Sequence, residues 1–337
     1  MTALTIILPT YNGASYLAEQ VRSIQAQRFT DWRMLICDDG SSDDTVAVTA
    51  ALAAGEPRIA VLPGGGNIGQ RRRLRELAEA ADTDLIAVAD QDDVWEHDKL
   101  ALLMDEMGDA DLCFGSSWLI DGDGQPFGRD IAGSLQPAYI PDERLTVLIR
   151  PLVSAHAMIA RRKLFNAPAL ARIIPFDWLM SIEAAWGEGL RYVPSARTNH
   201  RLHGANQHNG FLLQTPDKPR LVSGSALRML PHVVGKNRMH LMGMLEHLAF
   251  ADTLSKERQA LAREAWGVCR DYWYTSSLAW RGTDTARTKL EVLLRPMAGS
   301  ENDWRYFALH LDALCLPFHA PARMAARRAR LALEWPA

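Results

Sequence analysis

Cysteine is scarce in this chain, and no two cysteines stand close together. The 337 residues include four cysteines, with no C-x-x-C pair among them: Cys37, Cys113, Cys269 and Cys315. This spacing argues against a zinc site and against the disulfide framework of a small secreted protein. We therefore expect reduced, mostly buried thiols in a cytosolic protein.

Long apolar runs and a strong charge of one sign are also missing. No uninterrupted apolar run approaches the roughly 18 residues that a membrane-spanning helix needs. The start, Met1 to Leu4, has no basic segment followed by an apolar one, so we expect no secretion signal and a cytoplasmic location. The formal net charge of −3 does not favour a nucleic-acid partner.

The first ninety residues alternate between short apolar runs and segments of helical periodicity. The predicted strands cover residues 5–8, 32–37, 58–62 and 85–89, and the helices between them cover 14–27, 45–54 and 70–81. Such alternation predicts βαβ units in a parallel sheet, with the loops that follow the strands along one edge. The first loop reads P-T-Y-N-G-A and lacks G-x-G-x-x-G, which excludes a Rossmann dehydrogenase.

Polar side chains follow three of these strands. Thr10 and Asn12 follow the first strand, the pair at 38–39 the second, and Asp90 and Asp92 the fourth. Open α/β sheets bind ligands at this edge, and two carboxylates can hold Mg²⁺ or Mn²⁺ beside phosphate oxygens. Asp is also common in turns and at helix caps, so an acidic turn is the alternative interpretation.

Four motifs in order resemble the family 2 glycosyltransferases of the GT-A fold. They are P-T-Y-N-G at 9–13, D-D-G-S-S-D-D-T at 38–45, N-I-G at 67–69 and A-D-Q-D-D-V-W at 89–95. The last one looks most like the bacterial rhamnosyltransferase-like members. The resemblance covers about residues 3–210. It implies an α/β GT-A domain over 1–215, with a nucleotide-sugar half (1–110) and an acceptor half (111–215), and a helical region over 216–337.

The resemblance also implies roles for individual residues. Pro9, Thr10 and Tyr11 would line the base and ribose, and Asp39 would accept a hydrogen bond from the imide of uracil or thymine. Asp90 would lie near the ribose and donor sugar. The implied nucleotide-binding set is completed by Asn12, Asp38, Asn67, Gln91, Asp92, Trp178 and Arg201. Relatives carry a basic residue after N-x-G, and the sequence does not say which of Arg71, Arg72 and Arg73 fills that place.

Asp92 and His203 are the implied metal ligands. Asp92 would ligate Mn²⁺ or Mg²⁺ between the two phosphates, and His203 matches the histidine of the family's R-x-H motif, with a structural loop histidine as the alternative. Arg201 would pair with the diphosphate or with a carboxylate, and the sequence leaves both open.

Asp177, followed by Trp178, matches the acidic residue that serves the family as general base. Without the resemblance, an N-cap for a helix over 178–186 would be the simpler interpretation. Between these motifs we predict a strand at 111–120, a hairpin turn at 121–124, a flexible loop over 125–145 and a strand at 154–160. His156 stands where relatives have Gly-Cys or Gly-Asn, and its role is left open.

Apolar residues at three- and four-residue spacings in the last third of the chain predict helices over about 226–250, 255–281, 284–296 and 304–316. The basic amphipathic end, 322–331, would either lie on anionic lipid at the inner face of the membrane or pack as a terminal helix.

Taken together, the resemblance implies an inverting, metal-dependent hexosyltransferase. Its donor would be dTDP-rhamnose or a UDP-hexose, and its acceptor a cell-surface glycan or a lipid-linked saccharide. The alternatives are a nucleotidyltransferase, whose Gly-rich and basic first loop this chain lacks, and a catalytically inactive sugar-nucleotide-binding protein, which loss of Asp92 or Asp177 would favour. Both residues are present.

Overall fold

A computed structural model describes residues 2–131, 144–148, 153–166, 175–203, 241–271 and 283–298, and positions 304, 307 and 308. The chain divides into two compact units. The first comprises Met1–Pro141 and Pro151–Asp217, and the second Asp142–Arg150 and Lys218–Ala337. The boundary at residue 215, and the division of the first domain at 110, stay predictions.

The first unit is an α/β domain in which helices flank one sheet. Its strands are β1 (Leu4–Thr10), β2 (Trp32–Asp38), β3 (Ile59–Leu62), β4 (Leu85–Val88), β5 (Val94–Trp95), β6 (Leu112–Ile120), β7 (Pro126–Asp130), β8 (Met158–Arg161) and β9 (Leu190–Arg201). Its helices are α1 (Ala14–Gln25), α2 (Thr45–Ala54), α3 (Gln70–Ala80), α4 (Lys99–Met107) and α5 (Phe176–Trp186).

The strands in the described part of the chain follow the order β3-β2-β1-β4-β8-β6-β9-β5, with β7 paired to β6. The first four in this order are parallel, as the alternation predicted. β8 is antiparallel to both of its neighbours, so it joins the two halves of the sheet. Thr10 is paired with Asp38 at the carboxyl ends of β1 and β2, which brings their loops side by side.

β1 is the centre of the core, and every one of its residues is buried. Ile6 and Leu8 belong to a cluster with the apolar face of α1 and with Leu100 of α4, whereas Ile7 belongs to a cluster with Leu74 of α3. Because helices cover both faces of the sheet, the strand reads as a continuous apolar run. Truncating one of these buried side chains to alanine would destabilise the fold by about 2–5 kcal/mol.

Three local predictions need correction, and one is confirmed. Residues 126–130, predicted as part of a loop, form β7. The strand predicted at 154–160 begins at Met158, after a 3₁₀ turn over Ala155–Ala157. α5 begins at Phe176 rather than at Trp178. The hairpin turn at 121–124 is confirmed, because the Asp121 carboxylate accepts hydrogen bonds from the backbone of Asp123 and Gln125.

The described part of the second unit is helical. Residues 241–250 form α6, followed by α7 (Lys256–Cys269) and α8 (Thr283–Leu294), which ends in a 3₁₀ turn over Arg295–Met297. The predicted helices are confirmed over these stretches. Other predicted stretches lie outside the described residues: 132–143 of the predicted loop, and 226–240, 272–281, 305–306, 309–316 and 322–331 of the predicted helices. Among the helices that the structure describes, none combines the length and the apolar character needed to cross a membrane.

Candidate active site

The loops after β1 and β2 are fastened to each other through Asp38. Its carboxylate accepts hydrogen bonds from the hydroxyl of Thr10 (3.0 Å), from the backbone of Gly40 (2.9 Å) and from the hydroxyl of Ser41 (2.6 Å). Burial alone would raise the pKa of Asp38, but these donors outweigh it and the pKa is lowered. Asp38 thus performs the turn chemistry that was the alternative interpretation.

Asp39 holds the loop before α3. Its Oδ1 accepts hydrogen bonds from the Ile68 backbone (2.9 Å) and the Arg73 guanidinium (3.0 Å), and its Oδ2 from the Gly69 backbone (2.9 Å). Only 3% of Asp39 is exposed. Of the three consecutive arginines, Arg73 is therefore the one that faces this carboxylate. Base recognition by Asp39 stays a prediction, and Oδ2 is its less engaged oxygen.

The loop that carries Tyr11 is held in place by two predicted nucleotide-binding residues. The Gln91 amide accepts a hydrogen bond from the Tyr11 N–H and donates one to the Tyr11 carbonyl, each at 2.9 Å. Asn12 has φ +48°, and its side-chain oxygen accepts a hydrogen bond from the Ser42 backbone (2.8 Å). This arrangement leaves the Tyr11 ring 46% exposed at the sheet edge. Pro9 is buried in β1, and Asn67 is exposed in the loop that Asp39 fastens.

The two predicted metal ligands, Asp92 and His203, are brought together. His203 Nε2 lies 2.9 Å from Asp92 Oδ2, although 111 positions separate them in sequence. Burial and the nearby charges of Asp93 and Asp90 raise the pKa of Asp92, despite the hydrogen bond to His203. A divalent cation would relieve this repulsion, and a carboxylate with an imidazole is a donor set that Mn²⁺ accepts. The residues present therefore fit the predicted ion.

Arg201 has the carboxylate partner that the sequence left open. Its side chain is almost fully buried, and Nη2 donates to Glu19 Oε2 at 2.7 Å. Nε donates to the Asp92 carbonyl (2.9 Å), and Nη1 to the Gly122 carbonyl (3.0 Å). Arg201 thus ties α1, the acidic loop and the β6–β7 turn together, and its pairing with a diphosphate stays a prediction.

A buried charged cluster behind Asp92 was not predicted. Asp93 is fully buried, with Oδ1 2.9 Å from His200 Nδ1 and Oδ2 3.6 Å from His156 Nδ1. Burial would lower the pKa of His200, but Asp93 outweighs it and raises that pKa to about 9. Burial would raise the pKa of Asp93, but the two histidines outweigh it and the pKa is lowered. Asp93 and His200 therefore form an ion pair at neutral pH.

Asp93, His156 and His200 also form a group of potential metal ligands. The two imidazole rings are nearly parallel, with an interplanar angle of 5° and centroids 4.5 Å apart. Because each nitrogen lone pair lies in its ring plane, two stacked rings cannot direct both lone pairs at one ion. Asp92 and His203 remain the better donor pair.

His156 and Lys99 complete this interior. His156 is buried, its Nε2 lies 2.8 Å from Ser117 Oγ, and its carbonyl accepts a hydrogen bond from Lys99 Nζ at 2.6 Å. The Lys99 ammonium lies 3.4 Å from the centroid of the Trp95 ring, and burial lowers its pKa well below the usual value. The question about His156 is thus answered in favour of a buried contact.

Asp177 lies in the first turn of α5, one residue after its start, so it is not the N-cap. Its Oδ1 accepts a hydrogen bond from the Trp178 backbone at 2.9 Å, and Trp178 itself is buried. Burial raises the pKa of Asp177, against the opposing effect of hydrogen bonds from the backbone of Trp178 and Ala155. A carboxyl group with a raised pKa that lies near other ionisable groups, here His156 and Asp90, is a candidate for proton transfer.

The comparisons with known proteins point the same way. The sequence of residues 5–167 matches the family described as Glycosyl transferase family 2. These residues form a family 2 glycosyltransferase domain. The nucleotidyltransferase alternative is therefore set aside.

Two relatives illustrate the range of this glycosyltransferase family. The chain is 33% identical over 103 residues to the dTDP-rhamnosyl transferase RfbG of Shigella flexneri, across 29% of this chain and 36% of that protein. It is 29% identical over 111 residues to the UDP-Glc:alpha-D-GlcNAc-diphosphoundecaprenol beta-1,3-glucosyltransferase WfgD of Escherichia coli, across 33% of this chain and 43% of that protein. The chain thus matches less than half the length of either relative.

A solved structure shows the same fold as this glycosyltransferase. Residues 1–349 of TarS from S. aureus, in complex with UDP, superpose with a TM-score of 0.53 over 93% of this chain and 88% of that one. At 13% sequence identity, this likeness shows the fold alone. The predicted GT-A fold with a helical C-terminal extension is confirmed.

Proposed function

We propose that this glycosyltransferase moves a hexose from a nucleoside-diphosphate donor to a saccharide acceptor by a metal-dependent, inverting displacement. The observation that carries the proposal is the pair of Asp92 and His203, whose side chains meet at 2.9 Å at the end of the parallel sheet. Tyr11, whose backbone is held by Gln91, lies at the same edge of the sheet, where a base could stack on its exposed ring.

Asp92 and His203 would hold the divalent ion. When bound, Mn²⁺ or Mg²⁺ neutralises charge that develops on the leaving diphosphate. The chain's own contribution is to keep these two ligands together and largely out of water. Electrostatic interactions are stronger in such surroundings than in bulk solvent.

Asp177 would act as the general base. Inversion needs the acceptor hydroxyl to attack the anomeric carbon from the side opposite the diphosphate, while a base removes its proton. Burial raises the pKa of Asp177, which makes its carboxylate a stronger base than an exposed aspartate. Because only the deprotonated carboxylate can act as a base, Asp177 becomes active at a higher pH than an exposed aspartate would.

The relatives support the class of donor and acceptor. A dTDP-rhamnosyl transferase and a UDP-glucose-dependent transferase favour dTDP-rhamnose or a UDP-hexose as donor. The name of the second relative includes a diphosphoundecaprenol acceptor, which supports a lipid-linked acceptor in cell-surface glycan synthesis. Such an acceptor would place the enzyme at the inner face of the membrane. Deleting residues after 320 should then move the protein from the membrane pellet to the supernatant; no shift would remove that part of the proposal.

Thermal stabilisation by nucleotides tests the proposal directly. UDP, dTDP, GDP, ADP and CMP would each be added with and without Mn²⁺ or Mg²⁺, because a ligand that binds the folded state raises the unfolding temperature by mass action. We expect UDP or dTDP to raise the unfolding temperature more with the metal than without it, and we expect this additional increase to be absent in the Asp92→Asn variant. No increase with any diphosphate would contradict the proposal while leaving the fold assignment intact.

A further inference from the structure

One face of α1 contacts the candidate metal ligand His203 and the neighbouring Arg201. Tyr16 and Glu19 lie three positions apart on this helix, so their side chains share a face. The Tyr16 ring packs against the His203 ring, with centroids 4.8 Å apart. The Arg201 guanidinium lies 4.8 Å from the centroid of the same Tyr16 ring, while the Glu19 carboxylate accepts its hydrogen bond at 2.7 Å.

Arg201 transmits this support to Asp92. Its Nε donates to the Asp92 carbonyl at 2.9 Å, so the guanidinium fixes the backbone of one ligand. His203, two residues further along the chain, is the other ligand. The guanidinium is a rigid planar fork, and a carboxylate at one end orients the donors at the other.

Glu19 is suited to orienting the Arg201 guanidinium without binding the metal ion itself. Its side chain is 54% exposed, whereas that of Arg201 is 2% exposed. The buried guanidinium thus has a carboxylate partner at the protein surface. A metal site loses affinity when its ligands shift by a few tenths of an ångström, because coordination distances have narrow ranges.

We propose that Tyr16 and Glu19 are positioning residues of the metal site, which hold Asp92 and His203 in the geometry that binds the ion. Glu19 acts through Arg201 on the Asp92 backbone, and Tyr16 acts directly on the His203 ring. This inference rests on the proposed function, since it presupposes that Asp92 and His203 bind a divalent ion.

The test separates metal binding from nucleotide binding. The affinity for Mn²⁺ would be measured by calorimetry in saturating UDP and, in parallel, saturating dTDP; the affinity for each nucleotide would be measured in EDTA. Residues that orient metal ligands typically change metal affinity by about 10–100-fold. We expect losses of about 10-fold in Glu19→Gln and more in Tyr16→Leu, with unchanged nucleotide affinity in EDTA.

Two variants serve as controls. Tyr16→Phe keeps the ring against His203 and should retain the Mn²⁺ affinity of the wild type. Glu79→Gln removes a carboxylate from an exposed ion pair with Arg75 on α3, at 2.8 Å, and should change neither affinity. Glu19→Gln is isosteric at an exposed position, so the variant is expected to fold.

The outcomes distinguish this inference from the proposed function. Wild-type Mn²⁺ affinity in both Glu19→Gln and Tyr16→Leu would overturn the positioning role alone. An equal loss of nucleotide affinity in EDTA would also overturn it, because it would show a general structural role. If the wild-type protein binds neither nucleotide in a metal-dependent way, the proposed function itself fails.

Discussion

Two groups of carboxylates lie at the same edge of the sheet, and they differ in how the fold accommodates their charge. After β2, Asp38 and Asp43 accept hydrogen bonds from nearby backbone and hydroxyl groups, which outweigh burial and lower their pKa values. After β4 and at the start of α5, burial dominates and raises the pKa values of Asp92 and Asp177. The fold therefore stabilises the charged form of the first group and disfavours the charged form of the second.

This difference separates residues that build the site from residues that would do its chemistry. A carboxylate surrounded by donors contributes to folding at neutral pH, since its charged form is favoured in the native state. A carboxylate that is buried beside like charges is kept at a cost to stability, which a bound cation or a proton from a substrate can offset. The four predictions below test this division.

The largest expected effect is on turnover in Asp177→Asn. Removing a general base typically lowers the rate by about 10²–10⁴-fold, and we expect a loss of about 1,000-fold. Metal-dependent nucleotide binding should not change. The measurement is release of nucleoside diphosphate from the donor sugar, with Asp105→Asn on the exposed face of α4 as the control.

In the wild type, burial raises the pKa of Asp177, so activity should fall with decreasing pH already above about pH 4, where an exposed aspartate titrates. Activity retained in Asp177→Asn would contradict its assigned role.

Asp39→Asn should lower the stability of the protein even when no nucleotide is bound. The substitution removes the buried carboxylate that lies 3.0 Å from the Arg73 guanidinium and leaves Arg73 only the exposed carboxylate of Glu76, at 2.7 Å. Breaking a buried ion pair typically costs about 3–5 kcal/mol. Chemical unfolding without ligand would show this loss. Glu79→Gln, in an exposed pair, should change the free energy of unfolding by less than about 1 kcal/mol. An equal loss of unfolding free energy in the two variants would contradict a stabilising role for the buried carboxylate.

Asp92→Asn should lower the affinity for the metal ion rather than the stability of the protein. Burial and the charges of Asp93 and Asp90 raise the pKa of Asp92, so a neutral side chain relieves repulsion and the ligand-free variant should be at least as stable as the wild type. Its affinity for Mn²⁺ should fall by about 100-fold or more, since a direct ligand matters at least as much as the residues that orient it. Unfolding and calorimetry on the same samples measure both quantities. A variant that is less stable yet still binds Mn²⁺ would reverse the assignment.

The smallest expected effect concerns the pH dependence of stability in His200→Gln. The folded-state pKa of about 9 lies above the unfolded value near 6.5, so protonated His200 stabilises the fold fully below about pH 6.5. This contribution, about 3 kcal/mol at pH 7, is lost as the pH rises through 9. Urea unfolding in EDTA between pH 6 and 10 should show wild type and variant converging at high pH. His97→Gln, at an exposed position, is the control; parallel curves for His200→Gln would contradict the ion pair with Asp93.

Much of this picture was predictable from sequence, because it depends on local patterns. The alternation of apolar runs predicted the parallel strands β1 to β4, and the resemblance to family 2 glycosyltransferases implied that Asp92 and His203 would share a metal ion. The turn role of Asp38 was also foreseen as an alternative, since Asp accepts hydrogen bonds from residues two or three positions ahead.

The rest depends on contacts between distant segments. His200 reaches Asp93 only because β5 and β9 pair with Val94 opposite Asn199. Arg201 reaches Glu19 only because the fold brings α1 close to the end of β9, 182 positions further along the chain. No periodicity or motif distinguishes Glu19 from other exposed residues on that helix. Registers of distant strands and the exposed ends of side chains leave no local signature, so sequence alone could not reveal these contacts.

The central claim is that Asp92 and His203 hold the ion that binds the diphosphate. Anomalous diffraction at the manganese edge, from crystals grown with Mn²⁺ and UDP or dTDP, tests it most directly. We expect one strong peak within coordination distance of an Asp92 carboxylate oxygen and of His203 Nε2, with the remaining contacts made by the nucleotide. A peak between Asp93, His156 and His200, or diphosphate bound at this edge without metal, would contradict it.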